Sequence, residues 1–264
     1  MDTRELIIYY AVKYKSNFEK ITRAIALREP GGAIAVKNTV AEETNGEKGI
    51  KVLTALDYEY PAYLQNENKP DLVMFYRGNT ELLKNQELNL SLIVSDGSVR
   101  EFSDSKITEL LLHLVNSGKN LVVLGHTKIT QPLKEIVVRA LLMGVKVIFI
   151  ADSSVYKGDI EEKNMDYLVN SIIERKGLVI SLFSTEFKGA TEQTSKQSGE
   201  FMLKICKEIV LGNVNAGDEI GVGLVETALE THKTVTGFKT GYENSLNDIL
   251  INKDIITEFK GEDE

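Results

Sequence analysis

Residues 58–79 read YEYPAYLQNENKPDLVMFYRGN, and this stretch carries the strongest indication of the fold. A Tyr60-Pro61 step is followed by a polar link that ends at Pro70, and the link leads into an apolar run at 72–76. The run stops at Arg77-Gly78-Asn79, where glycine and asparagine are typical of a turn. A short apolar run bounded in this way predicts a buried strand, and the Tyr-Pro step predicts the start of a short helix.

From residue 50 onward, short apolar runs of this kind alternate with amphipathic stretches. Runs such as SLIVS, NLVVLG and VKVIFIA carry apolar residues at consecutive positions, so both faces of each strand are expected to be buried. Helices on both sides of a parallel sheet account for that pattern. The predicted fold class is therefore α/β, with a doubly wound, mostly parallel sheet. Its ligand crevice is expected beyond the carboxyl ends of the strands.

The apolar runs and the amphipathic stretches give a list of predicted elements. Strands are predicted at 50–53, 72–76, 90–95, 120–124, 145–150, 178–182, 209–212 and 234–237. Helices are predicted between the later strands at 105–116, 132–142, 164–176, 200–207 and 222–231.

The beginning of the chain has a different pattern. Apolar residues recur at helical spacing in two runs, before and after Ser16-Asn17, and Pro30-Gly31-Gly32 breaks the second run. A polar stretch, AEETNGEKG, ends this part of the chain. The pattern predicts a small helical N-terminal segment at 1–46, followed by the main core at 47–264.

Composition excludes several classes of protein. The chain has 264 residues, 42% of them hydrophobic, which is ordinary for a globular protein. The single cysteine, Cys206, excludes an internal disulfide framework and a multi-cysteine metal site. No apolar stretch approaches the roughly 20 residues of a membrane span, and the N-terminus lacks the layout of a signal peptide. We therefore expect a cytoplasmic protein with no membrane partner and no metal.

Loops at the ends of predicted strands hold the candidate pocket residues. Three of these loops, at 95–100, 125–132 and 217–223, contain glycines, hydroxyls or basic residues that could approach an anion. The simpler interpretation, which the absence of a glycine fingerprint favours, is that each is a plain turn or connector. The candidate pocket residues in these loops are Gly97, Ser98, Gly125, Thr127, Gly221 and Gly223. His126 also lies here, but no nucleophile motif such as G-x-S-x-G surrounds it, so no catalytic residue is predicted.

The opening stretch resembles the lead-in to the core of the DNA-processing protein A family, DprA, also called Smf. Members carry Tyr-Pro-x-x-Leu, a polar link with a proline, and a strand that ends in an aromatic and a basic residue before Gly-Asn or Gly-Asp. The matching residues here are Tyr60, Pro61, Leu64, Pro70, Tyr76, Arg77, Gly78 and Asn79. A weaker resemblance continues over most of 50–252, for example at Gly177 with Ser181 and at Asn247 with Ile249-Leu250.

The resemblance implies a Rossmann-like core and a function without enzyme activity or cofactor. Family members bind single-stranded DNA, form homodimers and load the RecA recombinase during DNA recombination in natural transformation. The candidate phosphate contacts are Lys128, Arg100, Arg139 and Lys188. The chain departs from the family in its polar motifs: Ser95-Asp96-Gly97 stands where members have Gly-Ser-Arg, and Ser198-Gly199-Glu200 lies near the place of an Arg-Asn pair.

Those departures, together with the net charge of −8, leave alternatives open. One is a nucleotide-binding regulator, or an N-glycosidase like the LOG-type phosphoribohydrolases of the same wider superfold. The glycosidase motif Pro-Gly-Gly-x-Gly-Thr-x-x-Glu is only faintly matched at 221–226, where its threonine is missing. Another is a divergent scaffold that keeps the fold for partner contacts and binds no ligand.

Overall fold

The computed structural model of the chain describes residues 2–44, 49–95, 103–125, 131–154, 163–184, 187 and 190–261. Within these ranges, no helix has both the length and the apolar character needed to cross a membrane. The strands are β1 Lys51–Thr54, β2 Val73–Gly78, β3 Asn89–Val94, β4 Asn120–Gly125, β5 Val147–Ala151, β6 Leu178–Ser181, β7 Glu208–Asn213, β8 Thr234–Gly237 and β9 Thr257–Glu258. The helices are α1 Thr3–Lys13, α2 Phe18–Ala26, α3 Ala33–Thr44, α4 Ala62–Gln65, α5 Asp104–Ser117, α6 Gln131–Leu142, α7 Lys163–Glu174, α8 Glu192–Ile205, α9 Glu219–Glu230 and α10 Leu246–Asn252.

The strands form one sheet in the order β1-β2-β6-β5-β4-β3-β7-β8-β9. β2 runs antiparallel to both of its neighbours, β1 and β6, and the remaining neighbours are parallel. Helices cover both faces: α1, α2, α5, α6 and α7 lie on one side, and α4, α8, α9 and α10 on the other. Leu92 and Ile93 of β3 belong to opposite core clusters, as consecutive strand residues must. The predicted doubly wound, mostly parallel α/β fold is confirmed.

The Tyr-Pro step of the opening stretch does start a short helix, because Pro61 occupies the N-cap position of α4. Tyr60 is buried beside Leu64, and its hydroxyl donates to the carbonyl oxygen of Asp71 at 2.7 Å. That burial raises the pKa of Tyr60 well above its usual value. Tyr60 therefore connects the start of the polar link to Asp71 at its end, just before β2.

The Arg-Gly-Asn end of the same stretch is required by the pairing of β2 with β6. Gly78 has a φ of 102°, and a Cβ at this position would lie 2.2 Å from the carbonyl oxygen of Gly177. The amide of Asn79 donates to that same oxygen at 3.0 Å, and the Asn79 side chain accepts from the amide of Glu81. Only glycine combines the left-handed backbone with this close approach.

The N-terminal helices share the core of the sheet. Ile8 and Tyr10 of α1 and Ile21 of α2 are almost fully buried, in the same apolar cluster as Val73 and Phe75 of β2. The helical character predicted for the first part of the chain is therefore observed over α1, α2 and α3. The division of the chain into a segment at 1–46 and a core at 47–264 stays a prediction.

The largest error in a predicted boundary is the start of α8, and the helix α10 and the strand β9 are absent from the predicted elements. α8 begins at Glu192, eight residues before the predicted start at 200. The first turns of α8 bury polar side chains such as Ser195 and Ser198, so they show no apolar stripe.

An ion pair fastens α1 to the loop that follows β1. The guanidinium of Arg4 donates to both carboxylate oxygens of Asp57, at 2.7 and 3.1 Å, and to the carbonyl of Val52. Burial opposes the charged form of Asp57, but the hydrogen bonds from Arg4 and from the amide of Thr54 outweigh it and hold the pKa of Asp57 below its usual value.

Asp57→Asn is expected to lower the free energy of unfolding by about 1–2 kcal/mol at pH 7, because it removes a bidentate, partly buried ion pair. A carboxylate with a depressed pKa stabilises the fold above its unfolded pKa, and this contribution is lost as the pH falls through the folded value. The difference between wild type and variant should therefore shrink below about pH 4 in urea titrations. Asp254→Asn, at an exposed position, is the control, and a difference that persists at low pH would contradict the assignment.

Candidate functional site

The order of the strands places a topological switch point between β3 and β7. From β3 the chain proceeds outward through β4, β5 and β6, and then returns to form β7 on the other side of β3. The connections after β3 and β7 therefore diverge to opposite faces and leave a crevice at the carboxyl ends of these two strands. In open α/β sheets this crevice is where ligands bind.

A cleft of about 470 Å³ occupies this position, which is a size typical of small-molecule sites. Its walls come from the end of β3, from the end of β4, from α6, from α8 and from the start of α9. Most of the lining is apolar, and these side chains are Leu92, Ile93, Val94, Leu124, Leu133, Met202, Ile220 and Leu224. The walls are therefore suited to the flat, weakly polar face of a base or a similar ring.

The polar part of the lining lies where β3 and β7 meet. The hydroxyl of Ser95 donates to the Oδ2 atom of Asp218 at 2.5 Å and accepts from the amide of Asn215 at 3.0 Å. The Oδ1 atom of Asp218 accepts from the amide of Gly221 at 3.0 Å, which makes Asp218 the N-cap of α9. One carboxylate thus joins the end of β3 to the first turn of α9.

This arrangement decides what the described part of the cleft offers a ligand. The amino terminus of a helix attracts anions, but here the Asp218 carboxylate already accepts from the Gly221 amide in the first turn of α9. Asp218 is also the charged residue among the described lining residues. These walls therefore supply acceptors and apolar surface. Arg100 and Lys128, the basic residues predicted nearest to this edge in the sequence, lie outside the described residues.

The predicted site residues fall into three groups. Gly221 lines the cleft, while Gly223 lines a separate groove between α8 and α9. Gly125 ends β4 beneath the ring of Phe149 and is not among the cleft-lining residues. The others, apart from Arg139, lie outside the described residues, and they are Gly97, Ser98, Arg100, Thr127, Lys128 and Lys188.

Arg139 of α6 is engaged elsewhere. Its Nη2 atom lies 2.8 Å from the Oδ1 atom of Asp104, at the start of α5, so the pair links two helices that cover the sheet. It is not among the described residues that line the cleft. Its role as a phosphate contact stays a prediction, as do the roles of the other candidate site residues.

The sequence gives little indication of the polar residues at and near this cleft. Ser95 directly follows a buried strand, which is a usable signal, whereas nothing in the sequence marks Asn215. Asp152, at the end of β5, is fully buried and accepts from the hydroxyl of Ser195 at 2.8 Å, so it fastens α8 to the sheet. Across the described ranges, no three His, Cys, Asp or Glu side chains come together as a group that could hold a metal ion.

Two solved structures share this fold. DNA processing protein A from Streptococcus pneumoniae gives a TM-score of 0.62 at 14% identity, covering 98% of this chain and 90% of the other. DNA processing protein A from Helicobacter pylori, which binds single-stranded DNA, gives 0.59 at 16% identity, covering 79% and 89%. No protein-family profile matches the sequence, and no curated protein sequence matches it significantly. The resemblance predicted from the opening stretch is thus confirmed at the level of the fold.

Proposed function

We propose that this chain is a divergent DprA-like protein that binds single-stranded DNA at the switch-point cleft and catalyses no reaction. The observation that carries the proposal is the shared fold, because a protein of the same fold from H. pylori binds single-stranded DNA. Fold alone does not establish function, so the cleft provides the second support. It lies at the edge of the sheet where ligands of this fold class bind.

The biological setting belongs to the same proposal. By its resemblance to DprA, the protein acts in the cytoplasm, as a homodimer, in DNA uptake and recombination during natural transformation. Its protein partner is then a RecA-type recombinase, which it loads onto the single strand. No cofactor is required for this role.

The cleft suggests how a single strand is held. Apolar walls such as Leu124, Leu133 and Ile220 receive bases, since a base presents an apolar face whatever its identity. Phosphates stay outside, away from the Asp218 carboxylate, and Arg100 and Lys128 are the residues predicted from the sequence to contact them. Binding of this kind depends weakly on sequence and strongly on salt.

The test is a fluorescence anisotropy titration with labelled oligo-dT, in which free nucleotides are added in parallel as competitors. Binding of oligo-dT that weakens steeply with salt is the expected result. Nucleotide binding without oligo-dT binding would replace the mediator with a nucleotide-binding regulator. If neither oligo-dT nor nucleotides bind, the remaining hypothesis is a scaffold that binds no ligand.

Lys128→Ala is expected to weaken oligo-dT binding and to reduce the salt dependence by about one phosphate contact, a slope change of roughly 0.7 for a single strand. The measurement is the same titration at several salt concentrations. Lys176→Ala, a lysine just before β6 at the opposite edge of the sheet, is the matched control. Equal slopes for wild type and Lys128→Ala would remove Lys128 from the site.

Asp218→Asn is expected to have the opposite effect. Asparagine keeps an oxygen that can accept from the Gly221 amide, but the negative charge beside the cleft is gone. Oligo-dT binding should therefore tighten by about threefold at low salt, with a loss of helix-capping stability below about 1 kcal/mol. A weaker affinity in this variant would show that the carboxylate takes part in binding.

A second candidate, the nucleotide-binding regulator, is favoured by the size of the cleft and by its carboxylate. About 470 Å³ is enough for a nucleoside, and Asp218 could accept from a hydroxyl or an amino group. The glycosidase alternative has less support, because Glu226, which would stand for the motif glutamate, is exposed on α9 and is not among the described lining residues of the cleft.

A further inference from the structure

A second cleft lies along the same edge of the sheet, between α5 and the ends of β8 and β9. Its volume is about 410 Å³. Lys106 comes from the first turns of α5, Lys239 follows β8 by two residues, and Lys260 follows β9 by two residues. Because β8 and β9 run parallel to β3, these lysines lie at the carboxyl edge, as the switch-point cleft does.

The charge of this cleft distinguishes it from the two others. Its lining carries three lysines against two glutamates, Glu109 and Glu258. One oxygen of Glu109 is already engaged as the acceptor of the Gly261 amide, at 2.8 Å. By contrast, the charged lining residue of the switch-point cleft is Asp218, and the groove between α8 and α9 has three glutamates to one lysine. Of these three clefts, counted over the described residues, the α5–β9 cleft alone has more positively than negatively charged lining residues.

The lysines are placed to meet a ligand. The side chain of Lys106 is held by its hydrogen bond to the carbonyl of Lys239 at 2.6 Å, while Lys239 and Lys260 are exposed. Behind them the rings of Phe238 and Phe259 pack against each other, with their centroids 4.7 Å apart. The exposed fractions of these two residues are only 3% and 5%. Rings so deeply buried cannot stack on bases, so the cleft offers ammonium groups rather than an aromatic platform. It is suited to phosphates, without reading the bases.

We propose that the α5–β9 cleft is a second contact site for single-stranded DNA, which holds the phosphate backbone of a strand whose bases occupy the switch-point cleft. This inference rests on the proposed function. β3 and β9 are three strand positions apart, which is about 14 Å at the usual spacing, so a few nucleotides span the distance. The protein has a net negative charge, but this local positive charge lies along the path by which the DNA strand leaves the switch-point cleft.

The test compares wild type with Lys106→Ala/Lys239→Ala/Lys260→Ala on labelled oligo-dT of about 30 nucleotides and on a labelled dinucleotide, which is too short to span the roughly 14 Å between the two clefts. Loss of three contacts should reduce the slope of log K against log salt by about 2, which corresponds to roughly hundredfold weaker binding of the long oligonucleotide at about 0.1 M salt. The dinucleotide, which fills only the first cleft, should bind equally well to both proteins.

The control with the same change in charge is Lys146→Ala/Lys176→Ala/Lys207→Ala, at positions that precede β5, β6 and β7 at the opposite edge. Lys239→Ala/Lys260→Ala keeps the Lys106 hydrogen bond intact and guards against a local folding defect, with thermal melts recorded for each protein. Three results would overturn this inference while the proposed function stands. They are an equal loss of affinity in the control, an equal loss for both oligonucleotide lengths, and no loss of affinity for either length. Failure of wild type to bind either length would overturn both.

Discussion

Asn247→Ala is expected to lower the free energy of unfolding by about 4 kcal/mol. Asn247 has no exposed surface, and its amide nitrogen lies within 3.2 Å of the carbonyl oxygens of Leu211, Gly212 and Phe238. Its side-chain oxygen accepts from the amide of Val214. Alanine leaves these buried backbone groups without the side chain that pairs them, and each such loss costs about 1–3 kcal/mol.

Urea denaturation followed by circular dichroism measures this effect. Asn252→Ala, at an exposed position in the same helix, controls for the change in helix propensity and should shift the stability by less than about 0.5 kcal/mol. Asn247→Asp keeps the shape but points a carboxylate at three carbonyl oxygens, so it should destabilise at least as strongly as alanine at pH 7. A loss below about 1 kcal/mol for Asn247→Ala would contradict the role of this side chain as the link between β7, β8 and α10.

Gly125→Ala is expected to cost about 3 kcal/mol, although it adds a single methyl group. An ideal Cβ at Gly125 would lie 1.8 Å from the Cζ atom of Phe149 and within 2.6 Å of two more ring atoms. Phe149 is buried in the middle of β5, so its ring cannot turn away into solvent. Overpacking of this kind in a dense core typically costs 1–3 kcal/mol and sometimes more.

A double-mutant cycle separates packing from any role of Gly125 in binding. Phe149→Leu shortens the opposing side chain, so Gly125→Ala should be much less damaging in that background, with a coupling above about 1 kcal/mol. Gly223→Ala is the matched control, because no atom lies within 4 Å of its added Cβ and alanine is the better helix former in α9. Additive effects of Gly125→Ala and Phe149→Leu would show that the ring contact does not explain this glycine.

Apolar runs were enough to predict eight strands of the sheet, because a strand buried on both faces leaves a continuous hydrophobic signature. They could not predict that β2 runs antiparallel between β1 and β6, since the direction of a strand leaves no mark on its composition. Elsewhere, elements formed by polar residues lack the apolar pattern from which they could be predicted. β9 has two exposed residues, and the start of α8 buries Ser195 against Asp152 rather than against apolar side chains.

The candidate site was harder to predict for a related reason. Ser95 is far in the sequence from Asn215 and Asp218, and it meets them only because β3 and β7 are neighbours at the switch point. The chain order of the strands does not reveal that adjacency. Asp218 caps α9, and its second oxygen also accepts from Ser95 across the cleft edge, which nothing in the local sequence indicates. The lysines of the α5–β9 cleft likewise come from three separate elements.

The pairing of β2 with β6 also bears on how the protein is made. Phe75 of β2 pairs with Ser181, about a hundred positions later in the chain. At roughly 5–20 residues per second, a ribosome takes on the order of 5–20 s to synthesise that interval. During this time β2 is covered on one side by β1 and α1, but its other, apolar edge has no partner until β6 is made. We therefore expect the nascent chain to need protection of this edge between the emergence of β2 and that of β6.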